Sequence, residues 1–188
     1  MPSPTSRDHG SHDNLLNAWL CYYAARTPGC DAATSATWLM AEDVPQPDAD
    51  LRLLPEYGGQ SGVEGAYCVG APEFAAEVSL SSASFDVGPK MELYRAAVVQ
   101  EYLVVLLGDS RVVWRQLVDG QYFPLEPGSD GLLRSVVFPG LWLDPAALLA
   151  LKRARVFEVL EDGLRSREHQ EFVEALAGRR SQRTPPSL

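Results

Sequence analysis

Lysine is almost missing from this chain: of sixteen basic residues only Lys90 and Lys152 carry an ammonium, and the others are arginines. Any chemistry that needs a compact cation with an adjustable pKa therefore has two residues to draw on. A basic excess is lacking as well. The net charge is −9; residues 1–149 set eight basic against nineteen acidic side chains, a net of −11, whereas residues 150–188 set eight against six, a net of +2. Such a body repels a polyanion at long range. A nucleic-acid function would need a bound divalent cation, a basic partner subunit or a local arginine patch to offset it.

Other absences narrow the field further. Cys21, Cys30 and Cys68 are odd in number and show no CxxC spacing, which excludes a disulfide framework and a zinc knuckle as readings. A catalytic cysteine would want a histidine, but His9, His12 and His169 lie at the two ends of the chain. No apolar run is long enough to span a bilayer; the stretch Tyr102–Leu107 is of strand length. The first residues lack the apolar core of a signal peptide, so a cytoplasmic location is expected. The Gly-rich stretch 56–65 has neither a GxxxxGK[ST] nor a GxGxxG pattern, so it is expected to be a mobile surface loop and not a nucleotide cradle.

What is present reads as one α/β domain. Ser11 or Asp13 can cap a first helix whose Leu15, Leu16, Trp19, Leu20 and Tyr23 recur at helical spacing. Arg26-Thr-Pro-Gly ends it. Strands are predicted over 33–40, 48–54 and 73–79, the second with Ala49, Leu51 and Leu53 on one face and Asp48, Asp50 and Arg52 on the other. A Ser-rich loop follows, and Asp86 is the expected cap of a helix to about Val98, with Met91, Tyr94 and Val98 toward the core. The uniformly apolar stretch from Glu101 predicts a central strand, and Asp119-Gly120 predicts a hairpin within a meander over 101–125. An extended segment 132–143 and a helix capped by Asp144-Pro145 to about Leu160 complete the domain. These expectations give a mixed central sheet flanked by helices over 11–160, a C-terminal helix at 161–178, and disordered ends at 1–10 and 179–188.

Three ionisable residues in this frame invite a chemical reading. Asp48 follows Pro47 at a strand start, Glu77 lies on the next strand, and Lys90 opens the helix after it. Two carboxylates on neighbouring strands can share a Mg²⁺ or Mn²⁺ ion that keeps some of its waters. A nearby ammonium can polarise a water and offset charge developing on phosphate. The common arrangement sets acid and lysine two apart on one strand, but the position two after Glu77 is Ser79, and Lys90 is thirteen residues on. Spacing alone equally allows Asp48 and Asp50 to form an exposed face paired with Arg52, Glu77 to be a surface carboxylate on an edge strand, and Lys90 to pair with Asp86. Trp38, Trp114 and Trp142 read as packing residues.

The ordered motifs carry a resemblance. Pro47-Asp48, Glu77-Val-Ser79, Asp86-Val-Gly-Pro-Lys90-Met-Glu-Leu-Tyr94, Glu101-Tyr102 and Leu133–Asp144 resemble, in that order over roughly residues 10–150, the Uma family. This is a bacterial group of restriction-endonuclease-like proteins within the PD-(D/E)xK nuclease superfamily. The resemblance implies a metal-dependent endonuclease acting on nucleic acid, DNA before RNA. Asp48 and Glu77 would be metal ligands, and Lys90 would be the catalytic lysine moved from strand to helix. It matches His12 to the histidine ahead of the first helix, although by itself His12 reads as a capping or surface residue. Asp86 and Tyr94 would brace the site. The chain departs from the pattern where Val98 replaces a glycine, Gln100 a proline and Leu103 a tryptophan, and Asp50 is either a third ligand or a partner for Arg52. The alternative is a nuclease-fold interaction module, acting as a homodimer or on a protein partner, that has lost catalysis.

Overall fold

The structure, a computed structural model, describes residues 6–80 and 88–183. Helix α1 (Arg7–Arg26) carries its apolar residues on the stripe predicted for it, with Leu15, Leu16, Trp19, Leu20 and Tyr23 all buried. It starts earlier than Ser11: Ser6 is the cap, and its side chain accepts the amide of His9. Residues 7–10, expected to be disordered, are thus its first turn. Gly29 turns the chain with φ +94, and a Cβ there would sit 2.5 Å from the ring of Tyr57, so only glycine fits this stop.

Six strands form the main sheet, in the order β1 (Cys30–Thr34), β3 (Ala49–Leu53), β6 (Phe74–Ser79), β7 (Glu101–Leu106), β8 (Arg111–Val118) and β9 (Gln121–Pro124). All neighbours are antiparallel except β6 and β7. A parallel pair needs a crossover, and helix α2 (Pro89–Ala96) lies in that connection. Every residue of β3, β6 and β7 is buried. Glu77 is therefore on an interior strand, not a surface carboxylate on an edge. The expected strand over 33–40 is broken: Ser35 adopts φ +49, and β2 (Trp38–Leu39) leaves to join a small sheet with β5 (Tyr67–Val69) and β4 (Gly62–Glu64). The Gly-rich stretch is thereby a 3₁₀ turn (Pro55–Tyr57) and the strand β4, not a free loop.

Two cores sandwich the main sheet. On one face Trp19, Phe74 and Trp114 meet edge to face with centroids 5.5–6.3 Å apart, contacts worth about 0.5–1.5 kcal/mol each beyond area burial. On the other, Trp38, Ala75, Tyr94, Tyr102 and Val104 pack under α2 and the small sheet. The meander appears as predicted, with Asp119 (φ +49) and Gly120 (φ +75) making its tight turn.

The C-terminal third is more divided than expected. Segment 132–143 is a small hairpin, β10 (Leu133–Arg134) with β11 (Trp142–Leu143). Asp144 caps the next helix through the amide of Ala147, as foreseen, but that helix stops after α3 (Pro145–Leu149). Leu151, at φ +51, separates it from α4 (Arg153–Leu164). The last helix, α5 (Arg167–Arg183), begins after the predicted 161 and runs past 178. Val98 is 54% exposed rather than in the core, and its neighbour Val99 is buried instead. The predicted cap Asp86 and the serines at 81, 82 and 84 lie outside the described residues.

Candidate active site

Strand β3 ends its registered pairing with β6 at Ala49 opposite Ala76. Asp48 and Glu77 are the next residue on each strand, so the two acids stand side by side where the ladder stops. Beyond that point the backbone of Val78 is completed by side chains. Its amide donates to Asp48 Oδ2 at 2.8 Å, and its carbonyl accepts from His9 Nε2 at 2.8 Å. Asp48 is thus held by the sheet edge it serves and is half-buried.

Glu77 is 2% exposed and has a partner on each oxygen. Lys90 Nζ donates to Oε2 and Tyr94 Oη to Oε1, both at 2.9 Å. Lys90 and Tyr94 are four apart on α2 and so share one face of the helix. The crossover helix thus brings an ammonium to the strand carboxylate. Burial pushes the Glu77 carboxyl up to about 7, the pull of Lys90 works against that rise, and neighbouring Asp48 adds to it. Tyr94, buried beside Glu77, is pushed well above the ordinary tyrosine range. It is a hydrogen-bond donor at neutral pH.

Asp50 does not join this group. It is 1% exposed and accepts from Trp38 Nε1 at 3.0 Å, and burial raises its carboxyl to about 7. Arg52 reaches across to Asp31 on β1, with Nε and Nη2 at 3.0 and 2.8 Å from Oδ2. Asp50 and Arg52 are therefore buried, Asp50 against Trp38 of the small sheet, and the Asp48–Asp50–Arg52 face is not a solvated ion-pair surface. His12 is neither a cap nor a surface group. It is 2% exposed inside α1, with ring nitrogens 2.9 and 3.1 Å from the carbonyls of Asp8 and Leu149.

Two residues near the acid pair escaped the sequence. His9 bonds to Val78 beside Asp48, and its Nδ1 is buried without a hydrogen-bond partner. Asp13 stands close enough to Asp48 that burial, and then the Asp48 charge, raise its pKa. Asn17 ties the two together, donating to Asp13 Oδ1 at 2.9 Å and to the Asp48 carbonyl at 3.3 Å. The signal for them was the four-residue spacing His9–Asp13–Asn17, which is one helix face once α1 starts at Arg7.

Among the described residues no three His, Cys, Asp or Glu side chains gather as a metal cluster. The donor set that is present, two like-charged carboxylates held together by the fold, suits a hard ion such as Mg²⁺. Mg²⁺ binds through one or two carboxylates and keeps waters, without a protein cage.

The fold is one already seen in a crystal structure. It matches the crystal structure of a "putative nuclease belonging to DUF820" from Anabaena variabilis, with TM-score 0.54 and 13% identity over 79% of this chain and 84% of that one. Residues 1–146 match the Uma2 family, described as "Putative restriction endonuclease", and the chain belongs to that family. Comparison with curated proteins gives no match. No helix among the described residues is long and apolar enough to cross a membrane.

Proposed function

We propose that the chain is a Mg²⁺- or Mn²⁺-dependent endonuclease that hydrolyses phosphodiester bonds of nucleic acid, DNA in preference to RNA. The observation that carries the reading is the 2.9 Å contact of Lys90 with Glu77, one residue past the point where β3 hands over to Asp48. It supplies the missing strand lysine from another element, at the same carboxylate.

Asp48 and Glu77 would hold the cation. When bound, the cation supplies Lewis acidity toward a phosphate oxygen and neutralises part of the acidic body. Tyr94 fixes the Glu77 carboxylate in place, so its free lone pairs keep one direction. Lys90 is one-third exposed along its side chain, whereas Glu77 is only 3% exposed, so the ammonium lies between the buried acid and solvent. From there it can orient a water by hydrogen bond and stabilise the negative charge that builds on the equatorial oxygens of the phosphorane. Lys90→Ala should abolish metal-dependent cleavage of a DNA substrate while circular dichroism and melting show a folded chain. Unchanged cleavage would remove Lys90 from the chemistry.

One observation favours the second reading, a nuclease-fold interaction module without catalysis. Both Glu77 oxygens already have donors within the protein. Calorimetric titration of Mg²⁺ or Mn²⁺ into the wild type and Asp48→Asn separates the two. Binding that is lost in the variant supports the metal site, and no binding to the wild type supports the module.

A further inference from the structure

Six cationic side chains lie between residues 27 and 149. Four are in ion pairs: Arg52 with Asp31, Lys90 with Glu77, Arg95 with Glu92 and Arg134 with Asp130. Arg111 and Arg115 are the exceptions. No carboxylate of the described residues is within ion-pair or hydrogen-bond reach of either, and both line one pocket of about 350 Å³. Glu126 also lines it, beyond pairing distance. Arg115 Nε is buried and has no hydrogen-bond partner. In a body of net charge −11, two arginines outside any ion pair and lining one concavity favour an anionic ligand there.

The register places this pocket relative to the acids. Glu77 is opposite Val104 on β7, and Val104 is opposite Val113 on β8. Arg111 and Arg115 flank Val113 at two residues on either side, so by strand alternation their side chains set out from the same sheet face as Glu77, and the pocket they line wraps the outer edge of β8 to Val112, Leu125 and Leu133, which pack on the opposite core. Two interstrand steps separate the rows, about 10 Å. Strand β9 pairs with β8 only from Arg115 onward, which leaves the segment at Arg111 without a strand partner on its outer side among the described residues. A polymer that presents one phosphate to Lys90 can therefore lay a neighbouring phosphate over this edge. The guanidinium fork matches phosphate oxygens in pairs and sheds water more readily than an ammonium.

We propose that the Arg111–Arg115 pocket is a phosphate subsite that holds the nucleic-acid backbone beside the Asp48–Glu77–Lys90 site. The proposal rests on the nuclease reading, and it answers how so acidic a body receives a polyanion.

The test is anisotropy of a short labelled duplex and its single strand across a range of KCl, with Ca²⁺ replacing Mg²⁺ to hold back cleavage. Each lost phosphate contact lowers the slope of log K against log salt by about 0.9 on duplex and about 0.7 on single strand. Arg111→Gln/Arg115→Gln should therefore be shallower by about 1.8 and about 1.4, respectively. The corresponding double lysine variant should keep most of the slope. Arg111→Gln alone, at an exposed position, should lose about half of it and guards against a folding defect at Arg115. A wild-type slope in the double glutamine variant overturns the subsite. If Lys90→Ala has meanwhile lost cleavage, the nuclease reading stands without it. Failure of the wild type to bind either oligonucleotide overturns both. Inorganic phosphate that titrates the pocket in the wild type and not in the double variant, with oligonucleotide binding unmoved, assigns the pocket to a small anion and also overturns the proposal.

Discussion

The Glu77 carboxyl turns the electrostatics of the site into a measurable pH dependence of stability. Its pKa is raised from 4.5 in the unfolded chain to about 7 in the fold. Between those values the folded protein holds a proton that the unfolded chain has released, so stability is highest at the acidic end and falls as pH rises through the window. At about 1.4 kcal/mol per pH unit across this window, the full loss is about 3–4 kcal/mol. Solvent screening takes little from this figure, because the side chain is 3% exposed. Asp50, raised from 3.8 to about 7, moves in the same direction and adds to the wild-type slope. The clean quantity is therefore the difference between wild type and Glu77→Gln, which cancels Asp50 and the general charge. Urea unfolding from about pH 4 to about pH 8 should show that difference shift toward the variant by about 3–4 kcal/mol. Lys90→Ala should behave in the opposite sense. Its cost should be small while Glu77 is protonated and grow as the carboxyl loses both its proton and its nearest cation. Parallel stability curves for wild type and Glu77→Gln over the whole range would refute the assignment of a buried, proton-retaining acid at this position.

Other consequences are as direct. Val98 adopts φ +64, a conformation costly for a β-branched residue, and is 54% exposed. Val98→Gly should therefore stabilise the chain by about 0.5–1 kcal/mol after the entropy cost of glycine, read from melting curves, with Val98→Ala gaining less. Glu101 is fully buried, with Oε1 accepting the amides of Val136 and Val137 and Oε2 accepting Trp114 Nε1 and Ser135 Oγ. Glu101→Gln sets an amide NH₂ against donors and should cost about 2–4 kcal/mol in urea unfolding.

The sheet was legible because its strands differ in pattern. The apolar run after Glu101 could only be interior, and Asp119-Gly120 could only be a turn. Errors gathered where tertiary contacts overrode local pattern. Ser35 and Leu151 take left-handed backbone without the glycine that would advertise it, so one predicted strand and one predicted helix each proved to be two elements. Arg52 looked like a partner for Asp50 because they are neighbours in sequence, but Asp31, registered directly opposite it on β1, takes the guanidinium. For the site, the strand acids and the helix lysine were each visible as residue types at element boundaries. Their convergence was implied by the family resemblance and not by spacing, since it depends on β3 stopping one residue short and on α2 descending over β6. His9 and Asp13 were hidden for a simpler reason: with the helix begun too late, their common face does not exist.

The manner in which α2 is anchored has a mechanical side. Two of the hydrogen bonds that tie this eight-residue helix to the sheet end on a single carboxylate, one from its first turn and one a turn later, while Arg95 Nη1 holds its far end to the Gly120 carbonyl. Anything that competes for Glu77, whether proton, cation or substrate, tugs on the crossover as a whole. Amide exchange along residues 89–96 should then register events at the carboxylate that no group on the helix itself undergoes, making α2 the pointer of a gauge whose sensing element is one buried acid.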